Sequence, residues 1–495
     1  MTGAVATAHP IATAIGNTVL ERGGNAYDAL LATSAALTVV LPSANGIGSD
    51  FFAVVHDGPV QTINGSGWAA AEATVESLRG RGFTAIPARG PLSALTVPGL
   101  VASWNLLAPR ATRPFRALLE PAVRLARDGF VPTGSLVRAV RATKPFADDD
   151  WRAVYAAVVP GRSFRQPDLA RTLASVQDDQ GHSFYHGKIA RAIEEDLRSK
   201  GGLLRASDLD GFAAEWTEPM QVRYRGSDVY TTPPNSQGAT LLVWLNLLAR
   251  RDLSQLSEAE YVAELVRTQP TAYRYRAKWI GDPRFHSFPA ELLRPEYPYS
   301  AAAPAGPGPV GVGDTTAFSV SDGKVHVSAI QSNFMGFGSG TTVRGTGINL
   351  NNRGSYFSLD PTHHNAVAPR KRSFHTLMAV VVVAPERELL LSTMGGDVQP
   401  ETNVQVLTRV WDRAQSLQTA IEAPRFAVPS TIYAGSDLFV ERGLSLPNAR
   451  RSDDASLFGH AQGILIGDEV EIGIDPRGDG RLPLPSGWSV SHLLG

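Results

Sequence analysis

Two adjacent hydroxyl residues, Thr315-Thr316, open a β-branched stretch directly after a Pro/Gly-rich segment that ends in Gly313-Asp314. A threonine hydroxyl is a weak nucleophile unless a base stands beside it. A cut before Thr315 would provide one, because the new α-amine has an ordinary pKa of about 7.7–8.0 and is partly neutral near pH 7. Directly or through a water, that amine takes the hydroxyl proton, so one residue supplies both nucleophile and general base. From spacing alone, the same pair also reads as ordinary strand residues after a linker.

Other chemistries find less support. The run Gly306 to Gly311, GPGPVG, matches the dinucleotide fingerprint by letter, but it follows no strand and contains two prolines. No P-loop, HExxH or GxSxG occurs. His363-His364 and His375 are candidates for a metal cluster. Adjacent histidines on an extended segment point to opposite faces, and no second ligand pair has suitable spacing. They read as polar loop or pocket residues, and no metal or other cofactor is expected. Cysteine is absent, which excludes disulfides, thiolate zinc sites, iron–sulfur clusters and a cysteine nucleophile.

The 46 basic and 47 acidic residues leave a formal net charge of -1, which argues against a polybasic nucleic-acid binder. The apolar stretch Ala29 to Leu41 is interrupted by Thr33, Ser34 and Thr38 and falls short of the roughly 20 residues that cross a bilayer. The first residues lack a basic segment followed by an apolar one. The expectation is a cytoplasmic protein with no membrane partner.

The elements that must position Thr315 are legible in outline. Residues 12 to 41 read as two helices, with Gly23-Gly24 ending the first, Asn25 capping the second and Pro42 beyond it. Phe51 to His56 and Val60 to Ile63 read as strands joined at Asp57-Gly58. Pro98 to Asp282 reads as mainly helical, with Ile189 to Lys200 amphipathic and Leu241 to Leu248 a buried helix. Residues 297–314 are the clearest boundary. Beyond it, Thr315 to Val320 and Lys324 to Ile330 form a hairpin at Asp322-Gly323, and Leu377 to Val383 with Leu389 to Thr393 another strand pair. A helix-rich first part thus meets a strand-rich second part, an α+β or layered α/β/α arrangement.

Longer motifs carry a resemblance. "VATAHPIATAIGNTVLERGGNAYDALLATSAALTVVLPSANGIGSDFFAVVHDG" resembles the N-terminal segment of γ-glutamyltransferases. "GDTTAFSVSDGKVHVSAIQSNFMGFGSGTTVRGTGINLNNRGSYFSLDP" resembles the start of their small subunit. "HNAVAPRKRSFHTLMAVVV", "STMGGDVQPETNVQVL", "VPGLVASW", "PAVRLARDGF" and "EAPRF" continue the match in order along nearly the whole chain. The shorter, intracellular-type branch fits best, through Asn351-Asn352-Arg353-Gly354 and Ser332-Asn333-Phe334-Met335-Gly336.

The resemblance implies the four-layer αββα fold of N-terminal-nucleophile hydrolases and a precursor that cuts itself between Asp314 and Thr315. The products would be a large subunit 1–314 and a small subunit 315–495, associated as a heterodimer. Thr315 would attack a small-molecule acyl donor to form an acyl-enzyme, released by water or an amine acceptor. Ser332 would orient Thr315, and the backbone N–H groups of Gly395 and Gly396 would form the oxyanion hole.

The departures concentrate on the substrate head group. Where the family holds the glutamyl α-carboxylate with the Arg of R-E-x-A-P, this chain reads Ser66-Gly67-Trp68-Ala69-Ala70. The Asp of N-N-x-M-x-D-F is replaced within Arg353 to Tyr356-Phe357, and the serine pair by His375-Thr376. An ammonium without its charge partner is costly to bury. Arg353 then reads as a grip for a substrate carboxylate and Trp68 as a stacking surface, each equally a wall residue. Asn333, Tyr356, His375 and Thr376 complete the expected binding set. Three readings stay open: an amide hydrolase or acyl transferase with altered acyl specificity, a homologue that hydrolyses a carbon–carbon bond in antibiotic biosynthesis, and an unprocessed scaffold.

Overall fold

The computed structural model describes residues 3–300, 314–428, 437–484 and 488–494. Most of the expected linker, including the 306–311 run and Gly313, lies outside the described residues.

The opening helices form as their capping residues dictate. After strand β1 (Ala4–Thr7), helix α1 (Pro10–Glu21) begins with His9 Nδ1 accepting from the Ile11 N–H. Helix α2 (Ala26–Val40) begins on a reciprocal capping box between Asn25 and Asp28, which satisfies two N-terminal amides. Next come β2 (Asp50–His56), β3 (Val60–Gly65) and helix α3 (Phe115–Asp128). Strands β4 (Glu215–Thr217), β5 (Met220–Tyr224) and β6 (Ser227–Thr231) lead to helices α4 (Gly238–Leu248) and α5 (Glu258–Trp279). The last third holds β7 (Asp314–Ser321), β8 (His326–Phe334), β9 (Ala379–Val383), β10 (Glu388–Met394), helix α6 (Gln399–Trp411), β11 (His460–Ile466) and β12 (Val470–Ile474).

These strands build two six-stranded antiparallel sheets, ordered β1-β7-β8-β2-β3-β4 and β12-β11-β10-β9-β6-β5. Strand residues point alternately to the two faces, and both faces are buried. In β2, Phe52 and Val54 join Ala317, Ile330, Val381 and Leu390 between the sheets. Phe51, Ala53 and Val55 face the other way, onto α1, α2 and α3. Val380, Val382, Leu389 and Leu391 pack against α4, α5 and α6 on the far side. The result is a helix–sheet–sheet–helix sandwich, the αββα arrangement.

The stretch 98–282 is mainly helical, as expected, but β4, β5 and β6 lie within it and complete the edges of both sheets. The helix-rich and strand-rich parts interleave: β7 and β8 are flanked by β1 and β2, and β9 pairs with β6. Among the described residues, no helix is long and apolar enough to cross a membrane.

Candidate active site

The β7–β8 hairpin turns at Asp322, whose Oδ1 accepts from the N–H of Lys324 (2.8 Å) and Val325 (2.8 Å), with Gly323 at φ +86. At the other end of the hairpin the register slips. Asp314 stands opposite Phe334, but Thr316 stands opposite Gln331, so Thr315 faces a bulge in β8 formed by Ser332 and Asn333. Bulges re-aim a side chain out of the ladder. Phe334 holds the left-handed backbone conformation, φ +82, which is strained for a bulky residue, and its N–H donates to Ser332 Oγ (2.7 Å). Thr315 Oγ1 donates to the same Ser332 Oγ (3.0 Å), which donates to the carbonyl oxygen of Asp314 (2.9 Å). One serine hydroxyl thus connects the threonine hydroxyl to the carbonyl of the peptide bond preceding it. β1 pairs only with Phe318 to Ser321, so the start of β7 has no ladder partner on that side among the described residues.

The Asp314 carboxyl accepts from the Ser43 hydroxyl and the Thr315 N–H and faces Arg89. Burial pushes it up to about 6, against those favourable contacts. Arg89 in turn donates to the carbonyls of Gly336 and Gly338.

On the other side of β8, Asp50 of β2 stands directly opposite Ser332. Opposed residues share a sheet face. Asp50 is fully buried. Its Oδ1 accepts from the Gly67 N–H (3.2 Å), and its Oδ2 accepts from His375 Nε2 (3.0 Å) and lies 3.5 Å from Arg353 Nε. The Leu377 N–H donates to His375 Nδ1 (3.2 Å), which fixes the imidazole proton on Nε2. Burial and the neighbouring Arg353 lower His375 to about 4, so it is neutral near pH 7. Arg353 Nη1 donates to Thr376 Oγ1 (3.1 Å), and its guanidinium lies over the rings of Phe334 (4.7 Å) and Tyr356 (5.5 Å). Among the described residues, Arg353 Nη2 has no hydrogen-bond partner. Asn333, beside Ser332, accepts from Ser49 Oγ (2.9 Å) and leaves its Nδ2 unpartnered.

Gly395 and Gly396 form the turn between β10 and α6, at φ +138 and +58, which only glycine adopts readily. Gln237 Nε2 donates to the carbonyls of Gly396 (3.0 Å) and Thr376 (2.6 Å), joining this turn to the Arg353 cluster. Arg276 Nη1 donates to Gln237 Oε1 (2.8 Å) and to Asp397 Oδ1 (2.8 Å), while Tyr356 Oη reaches Asp397 Oδ2 at 3.5 Å.

The expected residues Thr315, Ser332, Asn333, Arg353, Tyr356, His375 and Thr376 therefore lie in one connected group with the Gly395-Gly396 turn. Trp68 does not join it. Its Nε1 donates to the Asp208 carbonyl (2.9 Å) and its ring meets Phe212 edge-on at 5.0 Å, although its neighbour Gly67 touches Asp50. The three histidines are not one cluster either: His363 and His364 pack with His286, whereas His375 belongs to Asp50. Sequence reasoning missed Asp50, Gln237, Arg276 and Asp397. The only available signal was a carboxylate opening the apolar run 50–55 and another directly after a glycine pair.

The γ-glutamyltranspeptidase family model matches residues 12–482. The chain belongs to the γ-glutamyltranspeptidase family. It is 36% identical to the glutathione hydrolase-like YwrD proenzyme of Bacillus subtilis, over 96% of this chain and 97% of that protein. It is 32% identical to the oxamate amidohydrolase proenzyme of Klebsiella pneumoniae, over 97% of each. Among solved structures, cephalosporin acylase from Bacillus halodurans superposes with a TM-score of 0.87 at 32% identity, covering 97% of this chain and 95% of that one. The αββα sandwich is the fold of the N-terminal-nucleophile hydrolases, and this γ-glutamyltranspeptidase-family chain is an enzyme of that class, one that hydrolyses or transfers acyl groups of amides.

Proposed function

We propose that this γ-glutamyltranspeptidase-family protein cuts its own chain between Asp314 and Thr315 and then uses Thr315 to hydrolyse small amides whose acyl group carries a carboxylate. The observation that carries the first half is the Thr315–Ser332–Asp314 hydrogen-bond chain. Thr315 Oγ1 attacks the Asp314 carbonyl carbon, with Ser332 polarising its oxygen, and the acyl group shifts from nitrogen to oxygen. Water hydrolyses the ester, leaving the Asp314 carboxylate and a free Thr315 amine. That amine then takes the Thr315 hydroxyl proton as the oxygen attacks the substrate carbonyl, and passes it to the departing amine. The N–H groups of Gly395 and Gly396, which have no acceptor among the described residues, receive the developing oxyanion. Water or an amine releases the acyl group.

The second half rests on which buried atoms lack partners. Around the site, among the described residues, they include Arg353 Nη2, Arg276 Nε, Asn333 Nδ2 and Gln399 Nε2, all N–H donors. A ligand that satisfies donors must bring acceptors, and unsatisfied buried donors are expensive. The two nearby carboxylates are already engaged, Asp50 by three groups and Asp397 by Arg276 and Tyr356. An acceptor-rich, anionic acyl group therefore fits better than an ammonium. The oxamate amidohydrolase of K. pneumoniae, named for an amide with an adjacent carboxylate, points the same way.

Intact-mass spectrometry and a substrate panel test the reading. A fragment beginning at Thr315 is expected in wild type and absent in Thr315→Ala, with loss of turnover. Oxamate and a glutaryl anilide are expected to outpace a γ-glutamyl anilide and glutathione. Activity in Thr315→Ala refutes the mechanism, and fastest turnover of a γ-glutamyl compound refutes the head-group assignment.

A further inference from the structure

The Gly395-Gly396 turn is immediately followed by a buried carboxylate. Asp397 is 7% exposed and lies one residue from the amides proposed to receive negative charge. Unopposed, it would work against them, because charges interact strongly where water is excluded. Arg276 is 2% exposed and reaches in from the last turn of the long helix α5, donating to Asp397 Oδ1 and to Gln237 Oε1 at 2.8 Å each. Its guanidinium lies over the rings of Tyr273 (4.4 Å) and Phe374 (5.3 Å), which fix its orientation. Every carbonyl of the turn is also tied down. Gly395 accepts from the Val398 N–H (3.2 Å), Gly396 from Gln237 Nε2 (3.0 Å) and Asp397 from Tyr273 Oη (2.8 Å). With these carbonyls engaged, the peptide planes of the turn, and so its amides, are held in place.

We infer that Arg276 is a positioning residue for the oxyanion turn: it cancels the Asp397 charge and, through Gln237 and Asp397 together, holds the Gly395 and Gly396 amides open. This inference rests on the acyl-transfer reading above. The ionisable groups around Asp397 are Arg276 and Tyr273 from α5, Arg353 and Tyr356 from the 353–356 turn, and Glu401 from α6. Burial raises Asp397 and Arg276 opposes that rise, so a variant without Arg276 leaves a carboxyl that takes up a proton more readily.

The test compares kcat of Arg276→Gln, Asp397→Asn and the double variant on processed protein. The assay uses whichever of oxamate, glutaryl anilide and glutathione the wild type turns over fastest. Arg276→Gln is expected to lose about 100-fold in kcat with a smaller change in KM, the scale of one lost oxyanion contact. Asp397→Asn loses less, and the double variant recovers about tenfold or more of the Arg276→Gln loss, because the uncompensated charge is gone. The ratio of Arg276→Gln to wild-type kcat also rises as pH falls, since a protonated Asp397 no longer opposes the oxyanion. A purely structural role predicts a double variant no better than Arg276→Gln, and that result overturns the inference. Where Arg276→Gln does not fold, Arg276→Lys decides: it keeps the charge and most of the rate if the inference holds, and a Lys variant that folds but has lost that rate overturns it. Activity in Thr315→Ala removes the underlying reading as well, whereas an inert Thr315→Ala without rescue in the double variant removes only the role of Arg276.

Discussion

Removing the Ser332 hydroxyl tests self-cleavage most directly, because three hydrogen bonds converge on that one atom. In Ser332→Ala, Thr315 Oγ1 loses its acceptor, the Asp314 carbonyl loses its donor and the Phe334 N–H is left without a partner. The first two contacts act on the reacting atoms. At about 1–1.5 kcal/mol for each neutral hydrogen bond, their loss removes about 2–3 kcal/mol of transition-state stabilisation, a slowing of about 30- to 150-fold. The third acts on the fold: a buried, unsatisfied N–H costs about 1–3 kcal/mol, here at a residue already in the left-handed conformation. The assay is a time course of intact mass after rapid purification, alongside a urea melt. Precursor is expected to accumulate in Ser332→Ala, while Ser332→Thr, which keeps a hydroxyl, retains most of the wild-type rate. Wild-type kinetics of cleavage in a folded Ser332→Ala would refute the hydrogen-bond chain as the processing machinery.

The glycine turn and the buried histidine give two further tests. A Cβ at Gly395 would lie 2.8 Å from Val398 Cγ2 and 3.1 Å from Gly459 Cα. With φ at +138, Gly395→Ala is therefore expected to lower stability by about 1–3 kcal/mol and kcat by about 100-fold or more, read by melts and by turnover. His375 has its ordinary value of 6.5 when unfolded and about 4 when folded, so between these pH values the unfolded chain binds the extra proton. Its contribution is then lost as pH falls, by about 2 kcal/mol between pH 7 and pH 5. Urea melts of Thr315→Ala, with and without His375→Asn, should differ in slope against pH by that amount; parallel lines would show that His375 is not buried neutral.

The parts of this site that were legible in the sequence are those whose residue type alone limits the chemistry. Asn25 and Asp322-Gly323 have few structural uses, and each forms the cap or turn expected of it, while Gly395-Gly396 adopts positive-φ backbone that glycine favours. The match of long motifs indicated the αββα layers, which composition did not, because β4, β5 and β6 are short and lie within a helical stretch. Asp50 and Arg276 were invisible for a different reason. Asp50 acquires meaning only through the β2–β8 register that sets it opposite Ser332, and Arg276 only through the packing of α5 against the turn before α6. Trp68 failed in the opposite way: an aromatic at a substituted motif position invites a binding role, but its indole is committed to Asp208 and Phe212.

The sheet order explains how a chain cut before Thr315, as proposed, would hold together. Strand β7 begins at Asp314 and is held by β8 along its length and by β1 over Phe318 to Ser321. Breaking the bond before Thr315 removes none of the ladder from Thr316 onward. β2, β3 and β4 extend the same sheet from β8, and β6 with β5 extends the other from β9, so strands preceding residue 314 complete both sheets. The two fragments share the apolar layer between the sheets, where Phe52 and Val54 meet Ala317, Ile330 and Leu390. Separating the two proposed fragments would expose that layer, so the burial of this apolar surface would hold them together. The irregular pairing at Thr315 has the complementary virtue. It is the one point in the β7–β8 ladder where the register shifts, so a new chain end and its hydroxyl can be aimed at a substrate while every neighbouring strand stays in place.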